Sequence, residues 1–352
     1  MGGILENRFH GLWHGFRNSR QQKARSLSRS TRVLNTIESV VDDTDSRIRL
    51  VPGYKKKLQN VIHSSLEFAD DLVSQIPASI EVSRSTFTTD PYVNAFFTNV
   101  SDLRSIFSRS SEIQDFMDDF HDDSAQCCAL LCMDRAEKTV MGMEVSGNMV
   151  KKDVLQVAVS FSDHRIYSPA PSEPETRDGL KHCLFQGLVS NALERIGQLR
   201  LTSHQLQSQH QMLHSRFRRY QQKSRPGVQG QRANARILQA MEETRRELVN
   251  IEEQIMNTPR VTPRIVLEQV AEVFGKPDEF VQLRKSSLHI NKMGIKISDD
   301  SPQPGNRLSL TEVRIGNELP RVVTLATFPK NELMPKTAFS ALRFTGISPV
   351  LS

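Results

Sequence analysis

Two runs of residues at heptad spacing, separated by a helix breaker, constrain this chain more than any other feature. In the first run Ile196, Leu199, Ser203, Leu206, His210, Leu213, Phe217 and Tyr220 follow at alternating steps of three and four. In the second, Ile237, Met241, Thr244, Leu248, Ile251 and Ile255 do the same. That alternation keeps one helical stripe turned towards a partner helix. Pro226, Gly227 and Gly230 lie between the runs, and proline and glycine break helices. In an antiparallel pair, partners must be equidistant from the turn. Phe217 with Ile237, Leu213 with Met241, His210 with Thr244, Leu206 with Leu248, Ser203 with Ile251 and Leu199 with Ile255 all satisfy one such midpoint. The spacing predicts a protruding antiparallel coiled-coil hairpin of about 25 residues per arm, roughly 37 Å long at 1.5 Å per residue. His210 and Thr244, a polar pair in mid-seam, would fix its register. The rival, a parallel homodimeric coiled coil, would have to absorb the breaker at 224–231.

Charge along these arms is not generic. A solvated coiled coil interleaves both signs. Here residues 195–241 contain no Asp or Glu but nine basic residues, of which seven lie around the link: Arg216, Arg218, Arg219, Lys223, Arg225, Arg232 and Arg236. Arg195 and Arg200 lie at the other end, and acids return from Glu242 onwards. The formal net charge of the chain is +6. Residues 7–37 carry +7 and residues 195–241 carry +9, which leaves −10 on everything else. The charge pattern is a mildly acidic body with two basic appendages. A basic hairpin tip suits phosphate, because Arg binds it bidentately and neutralisation releases counterions.

The N-terminal stretch offers less. Leu5, Phe9, Leu12, Trp13 and Phe16 recur at helical spacing among basic residues. A secretory signal needs an apolar core that is missing here. Glu6 stands where a myristoylation pattern needs Ser or Thr. An organellar transit peptide, an amphipathic helix for a membrane surface or partner, and a basic arm folded loosely on the body all fit.

The rest of the chain reads as helices followed by strands. Helical patterns cover 54–75, 92–107, 112–120 and 265–274. A helix also starts near Glu175, after a Pro-rich link at 168–174. Cys127 to Met133 is a continuous apolar run. Alternating apolar residues mark strands at 139–145, 155–161, 288–297, 308–315 and 322–328, the last two joined at Gly316-Asn317. Strands before and after the heptad region can share one sheet. The expected fold class is α+β, a mainly antiparallel sheet with flanking helices and the protruding hairpin. The expected segments are 1–53 (basic arm and acidic linker), 54–190 (first part of the body), 191–258 (hairpin), 259–330 (completing the body or forming a second small domain) and 331–352 (tail).

Motifs for chemistry are weak. The run from Asp118 to Asp123 contains an Asp-Asp-x-x-Asp spelling suited to Mg²⁺. However, Ile113, Phe116, Met117 and Phe120 form an apolar stripe that makes the acids one face of a solvated helix. The other acidic cluster, Asp42, Asp43 and Asp45, is expected in a loop. Cys127, Cys128, Cys132 and Cys183 lack the CxxC spacing of a zinc site, and four cysteines in 352 residues do not make a disulfide scaffold. Asp163-His164 lacks a nucleophile elbow, and His182-Cys183 sits in an apolar helix. Phosphate-loop and dinucleotide fingerprints are missing. No apolar run reaches the roughly 18–20 residues needed to span a bilayer.

These observations lead to an expected cytoplasmic, non-catalytic binding protein without cofactor, metal or catalytic residues. Its hairpin tip would engage an anionic macromolecule, RNA or DNA first. A scaffold that docks proteins through hairpin and arm, with peripheral membrane contact by the arm, is the alternative. An enzyme built on the sheet is the third.

Overall fold

A computed structural model describes residues 29–119, 126–146, 149–224, 231–298 and 304–334. The N-terminal arm and the tail beyond residue 334 lie outside the described residues. In chain order the elements are α1 (Arg29–Thr44), a 3₁₀ turn (Ser46–Leu50), α2 (Tyr54–Ser74), β1 (Ile80–Glu81), α3 (Pro91–Phe96), α4 (Val100–Arg109) and α5 (Ser111–Asp119). There follow β2 (Gln126–Ser146), β3 (Met149–Ala170), α6 (Glu173–Lys223), α7 (Gln231–Asn257), α8 (Pro263–Gly275), α9 (Pro277–Phe280), β4 (Val281–Ile290), β5 (Asn306–Ile315), β6 (Arg321–Pro329) and a 3₁₀ turn (Lys330–Glu332). Mixed helix and mainly antiparallel sheet make the class α+β. The described chain divides into two units: residues 67–185 and 278–334 form one, and residues 29–66 and 186–277 form the other.

The first unit holds the sheet. Its order is β3-β2-β6-β5-β4, with β1 parallel to β6. Strands from before and after the heptad region therefore do share one sheet. β6 is the organising strand. One edge pairs with β2 from Met133–Val322 to Gln126–Pro329. The other edge is divided, pairing with β5 at Thr311–Val323 to Val313–Arg321 and with β1 at Ile80–Ala326 and Glu81–Thr327. Val322, Val323, Leu325, Ala326 and Phe328 are all buried, as a strand covered on both faces requires. On one face Val93, Phe96, Leu103, Phe107, Ile113 and Phe116 from α3–α5 pack with Cys127, Ala129, Leu131 and Met133. On the other, Leu130 and Leu325 meet Val73, Ile76 and Leu180. The continuous apolar run at 127–133 reflects that double coverage.

Four sequence expectations need correction. Residues 127–133 and 139–145 belong to a single strand, β2, which continues through Asp134 to Lys138 and pairs with β3 over its length. Those charges find partners: Arg135 meets Glu312 at 3.0 Å and also Glu137, and Lys296 reaches Glu137 at 3.3 Å. Alternation normally means one buried face, yet Met141, Met143 and Leu155 are exposed. The 92–107 pattern is two helices, because Asn99 leaves helical geometry and its side chain caps α4 through the Asp102 amide. The strand expected at 288–297 is β4, which begins at Val281 and ends at Ile290; residues 291–294 form a turn.

Arg177 closes the C-terminus of α2. Its guanidinium donates to the carbonyls of Val73, Ile76 and Pro77 at 2.6, 3.0 and 3.0 Å and to Glu173 at 2.9 Å. Terminal carbonyls lack intrahelical donors, and a cation there also meets the negative end of the helix dipole. Arg177→Ala is expected to destabilise this unit by about 1 kcal/mol, the cost of leaving partly buried acceptors without their charged donor. A shift in the denaturant midpoint without a change in slope would show it.

The second unit is helical. Ile37, Val41, Ile48, Leu58, Ile62, Leu188, Ala192, Ile196, Val266, Val270 and Phe274 are buried in it. Thr262 caps α8 by accepting from the Ile265 amide, with Pro263 in the first turn. Ser65 on α2 donates to the last carbonyls of α8 at Phe274. All fourteen heptad residues of 196–255 are buried or half-buried. The first arm is not a free 25-residue helix, since α6 runs unbroken for 51 residues from Glu173.

The acidic cluster expected in a loop is not in one: Asp42 and Asp43 belong to the last turn of α1, and Asp45 caps the 3₁₀ turn that follows. Arg49 bridges Glu38 at 2.9 Å and Asp42 at 2.8 Å, and Lys55 meets Glu38 at 2.8 Å. Lys55 and Arg49 hold the Glu38 carboxyl down at about 2, well below its ordinary 4.5. A folded-state pKa below the unfolded one stabilises above the unfolded value, and that stability disappears as pH falls through the folded one. The stabilisation is therefore present at neutral pH and decays between about 4.5 and 2. Glu38→Gln is expected to flatten this part of the acid-unfolding curve; circular dichroism from pH 6 to about 2 would follow it.

Candidate functional site

Three of the seven basic residues singled out around the link share one face of α6. Arg216, Arg219 and Lys223 are spaced three and four apart, so their side chains rise from neighbouring turns. Arg218 projects beside them, and all four are exposed. Arg236 is exposed on α7, where Arg232 belongs to the first turn. Arg225 lies outside the described residues.

Ion pairing differs between the two ends of the arms. At the far end from the link, Arg200 meets Asp45 at 3.1 Å and Arg195 meets Glu272 at 3.5 Å. Asp45 is held below its ordinary range by its hydrogen bond from Arg47, against the opposing effect of burial, with Arg200 adding to the lowering. Near the link, Arg218, Arg219, Lys223 and Arg236 have no ion-pair partner among the described residues. Arg216 lies over Tyr220, its guanidinium carbon 6.0 Å from the ring centroid and its Nε donating to the hydroxyl at 3.4 Å. Four arginines and lysines thus carry charge that nothing in the described chain neutralises. Sequence alone did not separate the two groups, because Asp45 and Glu272 are distant in the chain.

The mid-seam pairing needs revision. His210 does not face Thr244. Its Nε2 lies 3.3 Å from Oε1 of Glu252, and Thr244 donates to its own helix at Ala240 O, 2.7 Å away. Glu252 is eight residues beyond Thr244, so the contact point is displaced by about one heptad. Heptad spacing fixes which faces meet, but sliding one arm by seven residues keeps the same stripes facing each other, although it sets Phe217 opposite Thr244 and His210 opposite Ile251. The equidistance test therefore could not choose between registers.

The candidate chemical groups have structural roles. His164 Nε2 donates to Phe96 O, 2.8 Å away, and the ring stacks on Phe97 at 5.2 Å; burial pushes its pKa down. Burial would raise Asp163, but Arg165 at 2.8 Å and Arg321 at 3.0 Å outweigh it and hold the carboxyl down. Burial drives the thiols of Cys127 and Cys183 up to about 12 and Cys132 to about 11, which keeps them protonated and poor nucleophiles. Asp118 lies exposed in the last turn of α5, and residues 120–123 of the Asp-rich run lie outside the described residues. Among the described residues no helix is long and apolar enough to cross a membrane.

No family model, curated protein or solved structure matches the chain.

Proposed function

We propose that the protein is a non-catalytic binding protein whose basic helical-hairpin tip engages an anionic macromolecule, nucleic acid in the first instance. In this reading α6 and α7 form an antiparallel coiled-coil hairpin. The fourteen sheltered heptad positions and the His210–Glu252 contact support it. The observation that carries the function is the difference in neutralisation: arginines at the base are paired with acids, whereas Arg218, Arg219, Lys223 and Arg236 are exposed and unpaired. Clustered like charges repel one another, and phosphates would relieve that repulsion while releasing counterions. The absence of Asp and Glu from 195–241 removes internal competition for them. A reducing compartment such as the cytoplasm goes with this reading, since the cysteines are unpaired.

A second reading is favoured by one observation. Met141, Met143 and Leu155 expose an apolar face on the β2–β3 ribbon, and such faces dock proteins. A scaffold factor using the ribbon together with the hairpin would explain it.

One experiment separates the two. The intact protein is isolated with its partners, with and without nuclease. Its affinity for a random-sequence RNA or DNA is also measured from 50 to 200 mM salt. Tip binding through six or more phosphates predicts a loss of at least about 10³-fold in affinity over that range. A protein partner retained after nuclease, together with salt-independent or undetectable nucleic-acid binding, would replace the first reading with the second.

A further inference from the structure

The His210–Glu252 contact has a third member. His214 follows His210 by one turn on the same face of α6. Their rings are 4.5 Å apart between centroids and nearly perpendicular, at 74°. One nitrogen from each imidazole and one carboxylate oxygen of Glu252 all lie within 4.8 Å of one another. His210 and Glu252 also line an open hollow with Gln207, Gln211, Ile255 and Met256. A surface ion pair needs one histidine and one acid. Here two imidazoles and a carboxylate converge from two helices, which is more than a pair requires.

We propose that His210, His214 and Glu252 form a zinc-class metal site that ties α6 to α7 and selects their register. Two histidines at i and i+4 present nitrogens to one point, as they do on metal-binding helices generally. Two imidazole nitrogens and one carboxylate suit Zn²⁺, with Ni²⁺ and Cu²⁺ as competitors, whereas Mg²⁺ and Ca²⁺ require oxygen ligands. Zn–N bonds of about 2.0–2.1 Å require the donors to draw together. The Glu252 side chain, 50% exposed, has the freedom to do so. The hollow leaves space for water as fourth ligand.

Register is where the metal would act. Heptad spacing alone tolerates a slide of seven residues. The site does not, because such a slide carries Glu252 about 10 Å from His210 at 1.5 Å per residue. Bound metal therefore stabilises the register in which the three ligands meet. A histidine pair alone on α6 would bind without this effect, so the role belongs to Glu252. The proposal stands independently of the anionic-partner reading, because none of the three residues belongs to the basic set.

The test uses the full chain stripped with a chelator. Zn²⁺ is titrated against a chromophoric competitor, and hydrogen exchange is followed with and without metal. The expected result is one equivalent bound, with slowed exchange in residues 203–217 and 244–256. His210→Ala/His214→Ala should weaken binding by at least about 100-fold, beyond the 10–100-fold lost with an outer-shell partner. Glu252→Gln should retain part of the binding but lose the slowed exchange in 244–256. Partly exposed sites tolerate these changes, and circular dichroism of each variant checks the fold. A chain that binds no Zn²⁺, or a double-histidine variant that binds as the parent does, overturns the proposal. Binding that leaves exchange in 244–256 unchanged overturns the register role.

Discussion

The triple variant Arg218→Glu, Arg219→Glu and Arg225→Glu is expected to bind nucleic acid at least roughly 100-fold more weakly at moderate salt, with the fold intact. Each lost phosphate contact removes about one unit from the slope of log affinity against log salt. Reversal adds repulsion, so three sites should flatten the slope by about three units and lower affinity at every concentration. Arg218 and Arg219 are exposed and touch no acid among the described residues. Their replacement therefore removes no internal ion pair. The control is Arg200→Glu. That residue is paired with Asp45, so its reversal should disturb the α1–α6 end of the helical unit and leave the salt slope close to that of the parent. Anisotropy titrations at three salt concentrations, with circular dichroism alongside, give both readouts. If the triple variant binds as the parent does, the tip is not the binding surface.

The second large effect is on stability. Phe107→Ala is expected to destabilise the sheet-bearing unit by about 3–5 kcal/mol. Phe107 is 1% exposed and lies 4.4 Å from Phe328, the rings nearly parallel at 6°. The substitution empties a ring-sized volume between α4 and the central strand. Neither neighbour can collapse into it, because β6 is held on both edges and α4 by its cap. Domains carry only about 5–15 kcal/mol in total, so this change takes a large share. Hydrogen exchange in β2 and β6 should accelerate while exchange in α8 stays near its original rate, because α8 belongs to the other unit. Equal acceleration in both would mean that the units unfold together.

Much of the helical half was legible from period alone. The seam residues from Ile196 to Ile255 are the sheltered ones, and α8 stops at Gly275 as expected but starts at Pro263, two residues before the expected Ile265. The reason is that amphipathic helices carry their burial pattern locally. The sheet was less legible. Asp134 to Lys138 looked like a gap between strands because strand signals depend on burial, and a ribbon face in solvent carries none. β1 has two residues and no pattern to detect; it exists because β6 offers it an edge. The candidate binding residues were visible as composition, but their division into paired and unpaired groups was not, since it depends on Asp45 and Glu272. The His-x-x-x-His spacing at 210–214 was visible too, and only the register hid Glu252.

The central position of β6 also sets the order in which the sheet can be made. This strand joins β1, β2 and β5, yet it is the last of the six to be synthesised. About 190 residues separate Met133 from Arg321, which at 5–20 residues per second is roughly 10–40 s of translation. During that interval the inner edge of β2, with its buried-to-be run from Cys127 to Met133, has no strand beside it. Unpaired apolar edges recruit other chains. The long helices in between can form meanwhile from local contacts. The nascent chain therefore passes through a stage with finished helices and an open half-sheet, and its need for a holdase should end when β6 clears the ribosome.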